Sequence, residues 1–154
     1  MKLLKPVDCE KCMIDLLLRR LKNSFKLTLE LFDSLDEHHL VLELKDLPSN
    51  TIGKQVWCII GARESYFMAL QLGNWNGFSC SLNDSENKSQ VLEKLDLTAR
   101  KILSFLKESK NLGLKEDFIF DLLEHEVQHH GQLIRFMYGN KLEFPESWKE
   151  RYTV

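Results

Sequence analysis

The stretch from Glu116 to Asn140, EDFIFDLLEHEVQHHGQLIRFMYGN, has the length of a long helix and contains three of the chain's five histidines. At about 100° per residue, its apolar side chains fall on one stripe that also includes two imidazoles. That stripe consists of Phe118, Leu122, His125, His129, Leu133 and Phe136. A helix of this kind buries its stripe against other helices, so the stretch predicts a helical bundle with His125 and His129 facing inward.

The spacing of these two histidines bears on function. Residues four apart on a helix present their side chains to the same point, so His125 and His129 can bind one metal ion together. The alternative is a pair of core histidines that hydrogen-bond to neighbouring polar groups. Buried imidazoles without partners are costly, which favours the metal interpretation over that alternative.

Three further apolar stripes precede this one. Together they predict a single-domain, all-α four-helix bundle with helices near 11–35, 51–72, 84–109 and 115–139. Residues 36–50 form a connection that is unusually long for neighbouring helices, so we expect it to cross the bundle. Within it, His38 and His39 are expected to cap the first helix's C-terminal dipole rather than bind metal. Asn83 and Glu86 resemble a capping box at the start of the third helix.

Composition narrows the class of protein. The chain has 154 residues, 44% of them hydrophobic and 29% charged, and a net charge of −2, which gives no basis for nucleic-acid binding. No run of eighteen apolar residues is present, and the N-terminus does not resemble a signal peptide, so we expect a cytoplasmic protein without a membrane partner. Its four cysteines are expected to be free. The pair Cys9 and Cys12 is interpreted as incidental rather than as a redox motif or half of a zinc site.

The sequence His125-Glu126-Val127-Gln128-His129 matches the zinc metalloprotease pattern H-E-x-x-H. Metzincins require a further histidine where this chain has Arg135, and no histidine follows His130. Four helices with almost no sheet would also leave no protease substrate cleft. A metalloprotease is therefore not expected.

A better match combines the segment His125-x-x-x-His129-His130-Gly131-Gln132-Leu133 with the later Pro145-Glu146-Ser147-Trp148. This combination resembles the DinB-like (YfiT-like) superfamily of metalloenzymes, and the whole chain is compatible with the resemblance. The family implies a four-helix bundle in which three histidines hold a divalent metal, two from the last helix and one from the second. The first two correspond to His125 and His129.

The third family histidine corresponds to Cys58, within Val56–Glu64. Thiolate is a good zinc ligand, so a His₂Cys set would leave an open position for water or substrate, with zinc or nickel preferred to iron. A degenerate site is the alternative. Glu126 is a candidate base or outer partner, or simply a helix-packing residue, and Gln132 could orient a ligand or a bound water. Tyr66 is a possible pocket wall, and His130 is expected outside the ligand set or at an interface.

The resemblance also implies a function. Family members with assigned activities include thiol-dependent S-transferases and isomerases, so we expect a metal-dependent transferase or hydrolase acting on a small molecule with a low-molecular-weight thiol. The alternative is a catalytically silent bundle that binds a ligand or partner in a remnant site. Family bundles commonly pair through exposed helix faces. With Trp57 and Phe120 off the predicted stripes, a homodimer is expected.

Overall fold

The computed structural model describes residues 6–109 and 113–154, with side chains described from residue 13 onward. Within those ranges there are five α-helices and no strand, so the predicted all-α class is confirmed. They are α1 (Pro6–Ser34), α2 (Ile52–Leu72), α3 (Lys88–Ser109), α4 (Glu116–Gly139) and α5 (Glu146–Tyr152), with a short 3-10 helix at Glu37–Val41. Cys9 and Cys12 have no described side chains, so the predictions about them stay predictions.

Local signals in the sequence set the ends of α2. The Thr51 hydroxyl accepts a hydrogen bond from the Lys54 amide at 3.1 Å, and Gly73 ends the helix with a φ of 74°. α2 and α4 therefore begin and end within one residue of the predicted bounds. α1 begins five residues earlier than predicted, and α5 was not predicted at all.

The four long helices form the bundle by pairing around two apolar clusters. α1 and α2 each pack against both α3 and α4, so α1 and α2 occupy opposite corners and the connection between them crosses one end, as predicted. The first cluster contains the C-terminal part of α1 and the N-terminal part of α2, whereas the second contains their other ends. α1 and α2 therefore run in opposite directions.

A polar layer separates the two clusters at mid-height. Each long helix contributes to it a buried polar residue close to the boundary between its parts of the two clusters. Those residues are Thr28, Arg63, Thr98 and Glu126. Since His125 and His129 lie at this level of α4, the candidate site sits beside the polar layer rather than at an end of the bundle.

The connection between α2 and α3 packs back along α2 in an extended conformation. The Ser79 amide donates to the Ser65 hydroxyl at 2.9 Å, and the Ser81 amide donates to the Glu64 carboxylate at 2.7 Å. Further along, the Ser85 carbonyl approaches Gly53 so closely that a Cβ there would collide with it. These tertiary contacts hold the segment out of a helix up to that point.

α3 consequently begins at Lys88, and the predicted capping box of Asn83 and Glu86 is wrong. Asn87 caps the helix instead, because its side-chain oxygen accepts from the Gln90 amide at 3.0 Å. The predicted role of His39 is also wrong, because its imidazole caps the N-terminus of the 3-10 helix and not the C-terminus of α1, whereas that of His38 stays a prediction. Both lie in the 3-10 helix, where the His39 Nδ1 accepts from the Asp36 amide at 3.0 Å.

Candidate metal site

Helices α2 and α4 bring three potential metal ligands together. The Cys58 thiol, the His125 imidazole and the His129 imidazole each offer one donor atom, and these atoms lie within 4.8 Å of one another. The Cys58 Sγ lies 3.7 Å from the His125 Nε2. His129 is buried, whereas Cys58 and His125 are half-buried. The site is therefore open to solvent on the side of Cys58 and His125.

The chemistry and spacing of these donors fit a single zinc-sized ion. Tetrahedral zinc, with bonds of about 2.0–2.1 Å to nitrogen and about 2.3 Å to sulfur, places its donor atoms roughly 3.3–3.6 Å apart. The 3.7 Å between Cys58 and His125 already matches this spacing. All three donor atoms lie within 4.8 Å of one another, so the set as a whole is close to this spacing. Three protein ligands would leave one position open.

A chain of amides fixes the orientation of His129. The Gln55 Nε2 donates to the Asn50 Oδ1 at 2.8 Å, which leaves the Gln55 Oε1 to face the His129 Nδ1 at 2.6 Å. An amide oxygen only accepts, so the Nδ1 carries the imidazole proton and the Nε2 keeps a free lone pair. Metal-binding histidines are typically oriented in this way by an outer hydrogen-bond acceptor. Gln55 thus prepares His129 as a ligand.

The protonation states also suit metal binding. Burial, followed by the repulsion of a charge on His125, lowers the pKa of His129 to about 4. Burial also lowers the pKa of His125. Both imidazoles are therefore neutral at pH 7, as ligands must be. Burial raises the pKa of Cys58, so this thiol holds its proton at neutral pH until a metal displaces it.

A second group of potential ligands is less suitable. Asp36, His38 and His39 also place their donor atoms within 4.8 Å of one another, on the exposed 3-10 helix segment. The His39 Nδ1, however, already accepts from the Asp36 amide. A neutral imidazole that accepts at Nδ1 carries its proton on Nε2, so His39 has no lone pair left for a metal. In His129, by contrast, the Nδ1 carries the proton and the Nε2 keeps the lone pair that a metal needs.

Glu126, the candidate base, is placed in the polar layer and is 1% exposed. Its Oε2 accepts from the Arg63 Nε at 3.0 Å, and its Oε1 accepts from the Arg63 Nη2 at 2.5 Å. Burial would raise the pKa of Glu126, but the charge and hydrogen bonds of Arg63 outweigh burial and hold this pKa below its ordinary value. Because both Glu126 oxygens accept hydrogen bonds from Arg63, the placement of Glu126 indicates a structural role instead of proton transfer.

Arg63 is itself fully buried, and its other contacts explain how a cation is tolerated there. Its Nη1 donates to the Leu95 carbonyl at 3.0 Å, and its guanidinium lies 4.1 Å from the centre of the Phe25 ring. Because Leu95 belongs to α3 and Phe25 to α1, Arg63 of α2 ties all four long helices together through Glu126 of α4. No pattern in the sequence predicts this role of Arg63.

His130, which we expected outside the ligand set or at an interface, is fully buried and joins the polar layer to α5. Its Nδ1 lies 2.6 Å from the Tyr152 hydroxyl and its Nε2 lies 2.7 Å from the Thr28 hydroxyl. Thr28 in turn donates to Glu126 at 2.5 Å. Burial lowers the pKa of His130 to about 4, so a neutral imidazole links Tyr152 to Thr28. His130 is directed away from the candidate ligands and does not serve as an interface residue.

The remaining predicted site residues lie further out. The Gln132 side chain is exposed, so the structure places Gln55, and not Gln132, beside a candidate ligand. Tyr66 is half-buried two helical turns beyond Cys58 on α2, with its ring centre 5.0 Å from that of Trp75. Burial, and then the charges of Asp121 and Glu124, raise the pKa of Tyr66. Tyr66 therefore faces α4 beyond the ligand set.

Comparison of the chain with protein-family models, with curated proteins and with solved structures gives no match. In residues 6–109 and 113–154, no helix combines the length and the apolar character needed to cross a membrane.

The role of Gln55 leads to a prediction. Gln55→Leu should weaken zinc binding about 10- to 100-fold, because His129 loses the acceptor that sets its tautomer. Gln55→Glu keeps an acceptor and should bind zinc at least as tightly as the original chain. Competition titration with a chromophoric chelator measures both affinities. Equal affinity in the leucine variant and the original chain would show that Gln55 does not prepare the ligand.

Proposed function

We propose that the chain is a member of the DinB-like superfamily that holds one divalent ion, zinc or nickel ahead of iron, on Cys58, His125 and His129. We further propose that it is a metal-dependent enzyme acting on a small molecule, with thiol transfer as its reaction. The observation that carries this proposal is the convergence of three metal-binding side chains within 4.8 Å. A cytoplasmic location and a homodimeric state belong to the same proposal.

The three ligands would have different roles in such a site. His129, held by Gln55, supplies a neutral and pre-oriented nitrogen, while His125 and Cys58 supply the two donors nearest to solvent. A divalent ion bound there would stabilise the anion of a thiol or a water molecule and so lower its pKa. Tyr66 is the proposed wall of the substrate pocket along the groove between α2 and α4.

Thiol transfer is favoured over hydrolysis by the position of Glu126. Both of its carboxylate oxygens are taken by Arg63, so the candidate base is not free to accept a proton from water. A thiol can lose its proton without a general base more easily than water can, because its ordinary pKa of about 8.5 is far below the value of about 15.7 for water. In the proposed reaction, the thiol sulfur bonds to an electrophilic carbon as the leaving group departs.

The same position of Glu126 also supports the alternative function. A bundle without a free acid or base beside its ligands could bind a ligand or partner without turning it over. Cys58, at the position of the family histidine, would then mark a degenerate site.

Cys58→His separates these two functions. If the site is degenerate, this change should raise metal affinity, whereas a true thiolate ligand should tolerate it with little gain. The activity test is metal-dependent conjugation of low-molecular-weight thiols to monochlorobimane, with His129→Ala as the control. Conjugation that requires both metal and His129 supports the enzyme. If no thiol reacts, and ester and amide panels are not hydrolysed, the binding function is favoured.

The pKa shifts predict how zinc affinity depends on pH. Burial raises the pKa of Cys58 above that of an ordinary thiol, so zinc binding must release the thiol proton across pH 7–8.5. The imidazoles release none there, since the pKa values of His125 and His129 are lowered from 6.5. Affinity should therefore rise about tenfold per pH unit. Isothermal titration in buffers of different ionisation enthalpy measures the proton released, and Cys58→His should release almost none. A release near zero from the original chain would exclude Cys58 as a ligand.

A further inference from the structure

A cleft between α1 and α5 is the second feature of the molecule with the chemistry of a binding site. Its volume is about 370 Å³, within the range of about 300–1,000 Å³ that small-molecule sites occupy. Its polar lining consists of Asn23, Lys26 and Glu30 on α1 and of Ser147, Glu150 and Arg151 on α5. None of these residues belongs to the candidate metal site or to the polar layer, so the cleft is separate from both.

Two buried atoms of this lining lack hydrogen-bond partners. The Glu30 Oε2 and the Ser147 Oγ are shielded from solvent, and neither bonds to the other or to any other described residue. The second oxygen of Glu30 lies 3.5 Å from the Lys26 Nζ. Buried polar atoms are nearly always paired, because an unpaired one has lost its bonds to water without replacement. These two atoms therefore indicate that a polar group from outside the chain belongs in the cleft.

The chemistry of the two atoms indicates what that group is. A carboxylate oxygen only accepts hydrogen bonds, and a hydroxyl oxygen can accept one as well, so the missing group must bring several donors. An ammonium group has three N–H donors, and its positive charge suits the carboxylate of Glu30. The Glu30 and Ser147 side of the cleft therefore fits a primary ammonium group.

Arg151 offers a place for a negative group in the same cleft. It lies four residues after Ser147, so the two side chains are one turn apart on the same face of α5. In residues 6–109 and 113–154 it has no ion-pair or hydrogen-bond partner. Its guanidinium lies 5.0 Å from the centre of the Tyr152 ring, a contact that leaves the N–H donors in its plane free. Such donors bind a carboxylate through two parallel hydrogen bonds.

We propose that the cleft between α1 and α5 binds a free α-amino acid, with the ammonium group held by Glu30 and Ser147 and the carboxylate held by Arg151. In an α-amino acid these two groups are attached to one carbon, which matches acceptors and a cation that lie one helical turn apart. The site contacts the groups that all α-amino acids share, so several small amino acids should bind. Because α1 and α2 occupy opposite corners of the bundle, the cleft is remote from Cys58.

Heteronuclear NMR titration of the isotope-labelled chain with glycine, L-alanine and L-serine tests the proposal. Each should shift the backbone amides of residues 23–30 and 147–152 saturably, with a Kd of about 1 mM or tighter. Glycinamide lacks the carboxylate and N-acetylglycine lacks the ammonium group, so each should bind at least about tenfold more weakly than glycine. Equal binding of glycine and either analogue would overturn the proposal. The absence of a saturable shift with all three amino acids at about 20 mM would also overturn it.

Substitutions with a matched control assign the contacts. Arg151→Met and Glu30→Gln should each weaken glycine binding at least about tenfold. Lys149→Met removes another cation of α5, one that lies outside the cleft and 3.7 Å from Glu146, and should leave binding unchanged. Ser147→Ala should weaken binding without lowering the free energy of unfolding, because the hydroxyl has no partner in the folded chain. A loss of stability in Ser147→Ala, or unchanged glycine binding in Arg151→Met, would contradict the proposal.

Discussion

Arg63→Met is expected to destabilise the folded chain by about 3–5 kcal/mol, the usual cost of removing one partner from a buried ion pair. The side chains of Arg63 and Glu126 are 0% and 1% exposed, so neither group can turn to water when the other is lost. The variant would leave the Glu126 carboxylate buried with Thr28 as its remaining donor. Urea unfolding followed by circular dichroism measures the change in the free energy of unfolding.

Two comparisons make this prediction specific. Arg100→Met removes a partner from the ion pair with Asp96, whose two side chains are 69% and 51% exposed, and should cost less than about 1 kcal/mol. The double variant Arg63→Met with Glu126→Leu removes both charges and should recover most of the lost stability. If Arg63→Met were no more costly than Arg100→Met, the polar layer would not hold the helices together as described.

Zinc should stabilise the original chain strongly, and His129→Ala should abolish the effect. At free zinc a thousand times the dissociation constant, binding to the folded state contributes about 4 kcal/mol. For a chain of this length, that energy raises Tm by roughly 10 °C. His129 is the most buried of the three ligands and the one whose tautomer is fixed, so its loss should remove nearly all of the shift.

The matched control for His129→Ala is His38→Ala. His38 is an exposed histidine of the Asp36, His38 and His39 group, in which the imidazole of His39 lacks a free lone pair. Its replacement should leave the zinc-induced shift in Tm unchanged. If the zinc-induced increase in Tm persists in His129→Ala but disappears in His38→Ala, the metal binds at the 3-10 helix instead.

Features that depend on local sequence could be predicted. The capping threonine Thr51 and the stop at Gly73 act within a few residues, and they set the ends of α2 closely. The α4 stripe predicted that His125 and His129 share one inward face, because helical periodicity alone determines which residues share a face. The prediction that Cys58 is a metal ligand came from the family resemblance. Helical periodicity alone predicted only that Cys58 lies on an interior stripe of α2.

Features that depend on how the helices pack against one another could not be predicted from the sequence. Arg63 and Glu126 are 63 residues apart, and their contact depends on the relative height of α2 and α4, which neither helix specifies alone. Gln55 carried a usable signal, since a polar residue on an apolar stripe one turn from Cys58 requires a buried partner. Its partner, His129, became visible only in the packed structure. The late start of α3 likewise follows from contacts that hold the preceding connection against α2.

The central claim, one divalent ion on Cys58, His125 and His129, is tested most directly by the metal content of protein purified without chelator. Elemental analysis should find about one equivalent of zinc or nickel in the original chain and in His38→Ala. His129→Ala and Cys58→Ala should each retain far less. An original chain without metal that also fails to take up added zinc, or equal metal content in all four proteins, would contradict the claim.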